Sequence, residues 1–152
     1  MCSTRHPQKI VNTKQAMLGR LPVSKNRKLN MSLSRKVRIK RVYEPLDDND
    51  GTRVLVDRIW PRGMTKEHAA LSAWLKELAP TTDLRHWFDH DLSKWSEFQI
   101  RYTQELRGEP DALAKLVALI KNGSVTLLYA AHDEKHNNAV VLLGYLENEG
   151  LI

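Results

Sequence analysis

Two short stretches hold side chains whose types and spacing could do chemistry. The first is RVLVDRIWPRG, Arg53 to Gly63, where an apolar run stops at Asp57 and Arg58, Trp60 and Arg62 follow at once. The second is YAAHDEKHNN, Tyr129 to Asn138, where His132 and His136 straddle Asp133 and Glu134 and two asparagines close the run. Guanidiniums fork onto phosphates and carboxylates. An imidazole beside a carboxylate moves protons near neutral pH. Asp57, Arg58, Trp60, Arg62, His132 and Asn138 are therefore read as a binding set for a small anion. If a reaction follows, His136 or Asp133 would be the base and Arg58 with Arg62 the electrophilic clamp. Hydrolysis or group transfer on a phosphate- or carboxylate-bearing substrate would suit them.

Each of these residues also has a purely structural reading. Arg58 could pair with Asp57 or Asp133 and do no more than hold two loops together. Asp57 is read first as a loop brace or helix cap and second as a base. Trp60, a large residue before proline, packs a rim as readily as it stacks on a ligand. His132 fits a solvated loop. Of Asn137 and Asn138, one caps a helix and the other stays open.

The elements around these stretches set where they can meet. Val54, Leu55 and Val56 are short, branched and unalternating, as in a strand buried on both faces. The second strand is expected over Arg53 to Arg58, after a weak first strand from Val37 and a turn at Asp47 to Gly51. Ser124 to Ala130, with VTLLY at its centre, reads as the third. Thr65 caps an expected helix carrying Leu71, Trp74, Leu75 and Leu78 on one face and ended by Pro80. Thr81 or Thr82 caps a short turn through Leu84, Trp87 and Phe88. Asp91 starts a longer helix with Trp95, Phe98, Tyr102 and Leu106 in one stripe, closed by Gly108. Pro110 opens the next, capped by Gly123. A largely apolar helix runs from about Asn137 to Glu147. If the last two strands are parallel neighbours, loops 57–63 and 132–138 share one crevice at the strand C-termini, where α/β sheets bind ligands.

VLVDRIWPRG, WLKELAP, LRHWFDHD, WSEFQIRY and VTLLYAAHDEKHNNAVVL together resemble the YeaO-like branch of the bacterial domain-of-unknown-function 488 family, over about residues 37–148. The resemblance implies a compact α/β domain and no particular activity. The wider family tends to end its last strand in cysteine and to place a Cys-His-Arg group at the following helix start. Here Tyr129, Asn137, Asn138 and Ala139 stand at those positions, which argues against thiol chemistry.

Composition narrows the rest. The chain has 152 residues, enough for one domain with a real core. Its single cysteine, Cys2, rules out an intrachain disulfide and suits a reducing, cytoplasmic setting. No apolar run nears the roughly 18 residues that span a bilayer. The net charge of +6 is unevenly placed: residues 1–41 hold 12 of the 24 Lys and Arg and no acid, which leaves the rest of the chain net acidic. Residues 1–30 lack any sustained period and are expected to be a disordered basic tail. That tail is a solvated arm that touches RNA, DNA or acidic partners, a targeting peptide, or, the reading preferred, an extension before a start at Met31. The first of these makes the alternative to an anion pocket, a non-catalytic protein- or nucleic-acid-binding module in which the tail supplies the electrostatics and nucleic acid is held only weakly. His86, Asp89, His90 and Asp91 invite a metal reading, but Asp91 serves better as a cap, so no metal is expected and no cofactor is called for. The aromatic residues at helical spacing belong to the core, not to a base-stacking platform. The resulting expectation is a single compact α/β domain over residues 31–152, with a small, mostly parallel sheet of about three strands flanked by four or five helices.

Overall fold

A computed structural model describes residues 36–152, so the expectations for residues 1–30 and for Met31 lie outside the described residues. Four strands form one parallel sheet: β1 (Val37–Arg41), β2 (Thr52–Leu55), β3 (Ala73–Trp74) and β4 (Val125–Tyr129), in the order β1-β4-β2-β3. Five helices flank it: α1 (Lys66–Ala69), α2 (Thr82–Phe88), α3 (Trp95–Arg107), α4 (Pro110–Asn122) and α5 (Asn138–Asn148). The architecture is the α/β domain expected from the pattern, with one strand more than the sequence suggests.

β4 lies at the centre because every one of its residues can be buried. Val54, Val56, Leu127 and Tyr129 face the main core under α3, α4 and α5, while Leu55 and Leu128 face a smaller cluster with Trp60, Leu71 and Trp74. That alternation is the two-residue period of a strand covered on both sides. Thr126 is the one polar residue in β4, and its hydroxyl donates to the Asp50 carbonyl at 2.7 Å, which removes the cost of burying it.

The extra strand replaces part of an expected helix. Thr65 does cap, its hydroxyl accepting from the His68 N–H, but α1 ends after one turn where Ala70 turns left-handed at φ 45°. Ala73 and Trp74 then pair with Val54 and Leu55, extended by bonds from Ser72 N to Arg53 O (2.8 Å) and Leu75 N to Leu55 O (3.0 Å). A 3-10 turn, Lys76–Leu78, completes the segment, and the buried Tyr102 hydroxyl donates to its Leu78 carbonyl.

The helix starts follow local chemistry closely. Thr81 caps α2, Asp91 caps the 3-10 turn that leads into α3, Pro110 opens α4 and Asn137 caps α5. Gly51 enters β2 at φ 63°, where a Cβ would collide with the Ser124 carbonyl, so only glycine fits that turn.

Candidate functional site

β2 and β4 are parallel neighbours in register, with Leu55 opposite Leu128, so both release their following loops at the same edge of the sheet. One more ladder bond, Val56 N to Leu128 O at 3.1 Å, carries the pairing up to Asp57. There the Asp57 carboxylate crosses between the loops. It accepts from the Ala130 N–H at 2.9 Å and from Asn138 Nδ2 at 3.1 Å. The same Asn138 nitrogen donates to the Val56 carbonyl at 2.8 Å, and Trp74 Nε1 donates to the Asp57 carbonyl at 2.7 Å. Burial pushes the Asp57 carboxyl above its ordinary value, and the bonds from Asn138 and Ala130 and the Arg85 charge offset this only in part. Asp57 acts here as a brace that ties β2 to the start of α5.

The three arginines around it differ sharply. Arg58 is held by carbonyls, donating from Nε to Pro80 at 3.1 Å and from Nη2 to Ala79 at 3.2 Å. Its expected carboxylate partners, Asp57 and Asp133, do not bond it, because the chain after α1 brings residues 79–80 within its reach instead. Arg62 is exposed, and only its carbonyl is engaged, accepting from the Tyr43 hydroxyl at 2.9 Å. Arg85 is exposed on α2. Among the described residues neither the Arg62 nor the Arg85 guanidinium makes a hydrogen bond or a salt bridge. Trp60 donates to the Met64 carbonyl at 2.7 Å and meets Trp74 edge-on at 5.5 Å, so it forms part of the rim.

The second loop is organised by Asp133. Its Oδ1 accepts from the N–H groups of Lys135 (2.9 Å) and His136 (3.0 Å), and its Oδ2 meets His136 Nδ1 at 2.9 Å. The Lys135 N–H foremost holds this carboxyl below its ordinary value; burial opposes it, and the His136 contacts add to the lowering. His136 also meets the Trp95 ring edge-on at 5.0 Å. His132 is fixed from the other side: its Nδ1 lies 3.1 Å from Arg41 Nη2. A guanidinium only donates, so Nδ1 accepts and Nε2 carries the proton. Of the two asparagines, Asn137 is the cap, accepting from the Val140 N–H at 3.1 Å, and Asn138 is the one bound to Asp57.

Between the loops lies a cleft of about 390 Å³. Asp57, Arg58, Trp60, Arg62, His132, His136 and Asn138 all line it, whereas Asp133 stands behind His136. Sequence reasoning missed Tyr43, Arg85, Phe88 and His90, which also line it. The clue to His90 lay in the LRHWFDHD segment. There α2 stops at Phe88, and Asp89 and His90 follow at φ 45° and 57°, which denies His86 and His90 the shared helical face a metal site would use. Among the described residues no three His, Cys, Asp or Glu side chains gather as metal ligands would. The lining contains no Ser, Thr or Cys, and its only carboxylate is Asp57. Guanidiniums without a salt bridge among the described residues thus face a cleft whose sole acid, Asp57, accepts a hydrogen bond on each oxygen.

The family described as "Inactive DUF488-N3 subclade" matches residues 36–150. The chain is 38% identical to "Uncharacterized protein YeaO" of Escherichia coli K12 over 112 residues, 74% of this chain and 97% of that protein. It is 42% identical over 107 residues to "Uncharacterized protein Mb3100c" of Mycobacterium bovis and "Uncharacterized protein Rv3073c" of Mycobacterium tuberculosis H37Rv, covering 70% of this chain and 90% of each. No solved structure matches the chain. Among the described residues no helix is long and apolar enough to cross a membrane.

Proposed function

This chain belongs to the inactive DUF488-N3 subclade, and on that premise we propose that its cleft binds a small phosphate- or carboxylate-bearing ligand without converting it. The observation that carries the reading is the pair Arg62 and Arg85, two guanidiniums on one cleft that form no salt bridge among the described residues and share it with a single acid, Asp57. Arg58 adds a third positive charge, since its partners are neutral carbonyls. Turnover is disfavoured by the lining itself. It offers no hydroxyl or thiol of Ser, Thr or Cys as nucleophile, and Asp57 is engaged as a brace by the Ala130 N–H and the Asn138 amide. The His136–Asp133 pair then serves to orient a ligand, and His132 presents a donor at Nε2.

A thermal-shift screen of phosphorylated metabolites and small carboxylates tests the reading. At least one anion should raise the melting temperature of the wild-type protein, as mass action on the folded state requires. The Arg62→Ala, Arg85→Ala double variant should melt within a few degrees of wild type and lose that response. A response that survives the double substitution would overturn the assignment.

A further inference from the structure

We infer that the occupant of the cleft is an amphipathic anion: one phosphate or carboxylate group carried on a compact apolar body about the size of an aromatic ring. This rests on the anion-binding reading above and adds the part of the ligand that the cations do not touch. At about 390 Å³ the cleft has room for roughly a dozen waters at ~30 Å³ each. A bare phosphate leaves most of that volume wet. The volume is also near the lower end for ligand sites, which run from roughly 300 to 1,000 Å³, so a large polyphosphate ligand is a poor match.

The chemistry of the remaining wall decides what fills the space. Pro61, Pro80, Phe88 and Phe98 line the cleft beside the arginines, with Phe88 stacked on Phe98 at 4.4 Å. Neither proline has a side-chain polar atom, and neither phenylalanine can hydrogen-bond. Ile59 lines the same cleft and is 52% exposed. It sits between Arg58 and Trp60, whose side chains are both tied to backbone carbonyls. An isolated exposed isoleucine is ordinary. One held at the mouth of a cleft that also carries two unpaired cations gives an apolar group a surface to cover while its charged end meets the guanidiniums. A few placed polar groups on a mainly apolar wall is the usual make-up of a small-molecule site.

Calorimetric titration of the full chain with five probes separates the possibilities: phenyl phosphate, phenylacetate, inorganic phosphate, acetate and benzyl alcohol. The aryl anions should bind about tenfold or more tightly than inorganic phosphate and acetate, because only they cover apolar surface. Ile59→Ser should weaken phenyl phosphate several-fold and leave inorganic phosphate unchanged, and because Ile59 is exposed the variant should keep the wild-type melting temperature. Equal affinities for phenyl phosphate and inorganic phosphate would overturn the amphipathic ligand and leave the anion site standing. Benzyl alcohol binding as well as phenyl phosphate, or no anion binding at all, would overturn both.

Discussion

The two sides of β2 carry the same residue types and treat them in opposite ways. Before and within the strand, Asp50 and Arg53 are buried, 3% and 5% exposed. Arg53 Nη1 meets Asp50 Oδ2 at 2.5 Å, Arg53 Nε donates to the Ala69 carbonyl at 3.0 Å, and Lys40 reaches Asp50 at 3.1 Å. Here cation and anion face each other and water is excluded. After the strand, Asp57 is bonded to an N–H and an amide, the Arg58 guanidinium to two carbonyls, and the Arg62 and Arg85 guanidiniums to nothing among the described residues. Charge that holds a fold is matched inside it. Charge left unmatched in a cleft is available to something that enters.

The largest expected effect tests the matched side. Asp50→Ala strands Arg53 and Lys40 without their acid, and losing one partner of a buried pair costs about 3–5 kcal/mol. Arg53 already has one buried nitrogen, Nη2, without a hydrogen-bond partner, so it has no spare acceptor to turn to. Urea unfolding should show that loss, and a variant within about 0.5 kcal/mol of wild type would dissolve the contrast. On the other side Arg58→Ala should cost about 2 kcal/mol, since it removes charged donors from two carbonyls at buried positions. Arg62→Ala in the same assay should stay within about 0.5 kcal/mol. If Arg58 behaved like Arg62, it would belong with the unmatched cations and not with the brace.

Much of this arrangement was legible in the chain, and the gaps have physical causes. VTLLY reads as a strand because it is a short, mostly apolar run, and a cap is expected at Asn137 or Asn138 because the apolar run starts just beyond them; the structure buries all of VTLLY and makes Asn137 the cap. Loops 57–63 and 132–138 could be paired because both follow such strands. The helix expected around Leu71 to Leu78 was misleading for a definite reason. Its apolar spacing suits a helix, but the left-handed Ala70 and the free side of β2 convert it into an edge strand, and neither is visible in periodicity. Arg85 and Tyr43 were hidden by distance along the chain. On its short helix Arg85 has only the look of a solvent-facing residue, and what gives it a role is the sheet order that brings α2 to the cleft. The partners of Arg58 were hidden likewise, since backbone carbonyls carry no sequence signal.

The smallest expected effect is also the most direct reading of the contrast, because the two aspartates should tilt stability in opposite directions with pH. Burial alone would raise Asp50, but its bonds from Lys40, the Asp47 N–H and Arg53 outweigh that and hold it below 3.8. Its folded form therefore releases the proton more readily than the unfolded chain does. The stability it contributes is full above pH 3.8 and is lost as pH falls through the folded value. Asp57 is raised above 3.8, so the folded protein binds its proton more tightly than the unfolded chain. Its contribution is full below pH 3.8 and is lost as pH rises through the folded value. Unfolding free energies measured across the acid range should thus fall more gently with rising pH, above pH 3.8, once Asp57→Asn is made. Arg85 sharpens the point, because its charge is one of the influences drawing Asp57 down. Arg85→Ala should push the Asp57 carboxyl higher still, seen directly in its NMR titration, while Arg101→Ala, which removes a cation paired with Glu97 on the surface, should leave it in place. If both substitutions left Asp57 unmoved, the free guanidinium would not be acting on the cleft, and the two ends of β2 would differ only in burial.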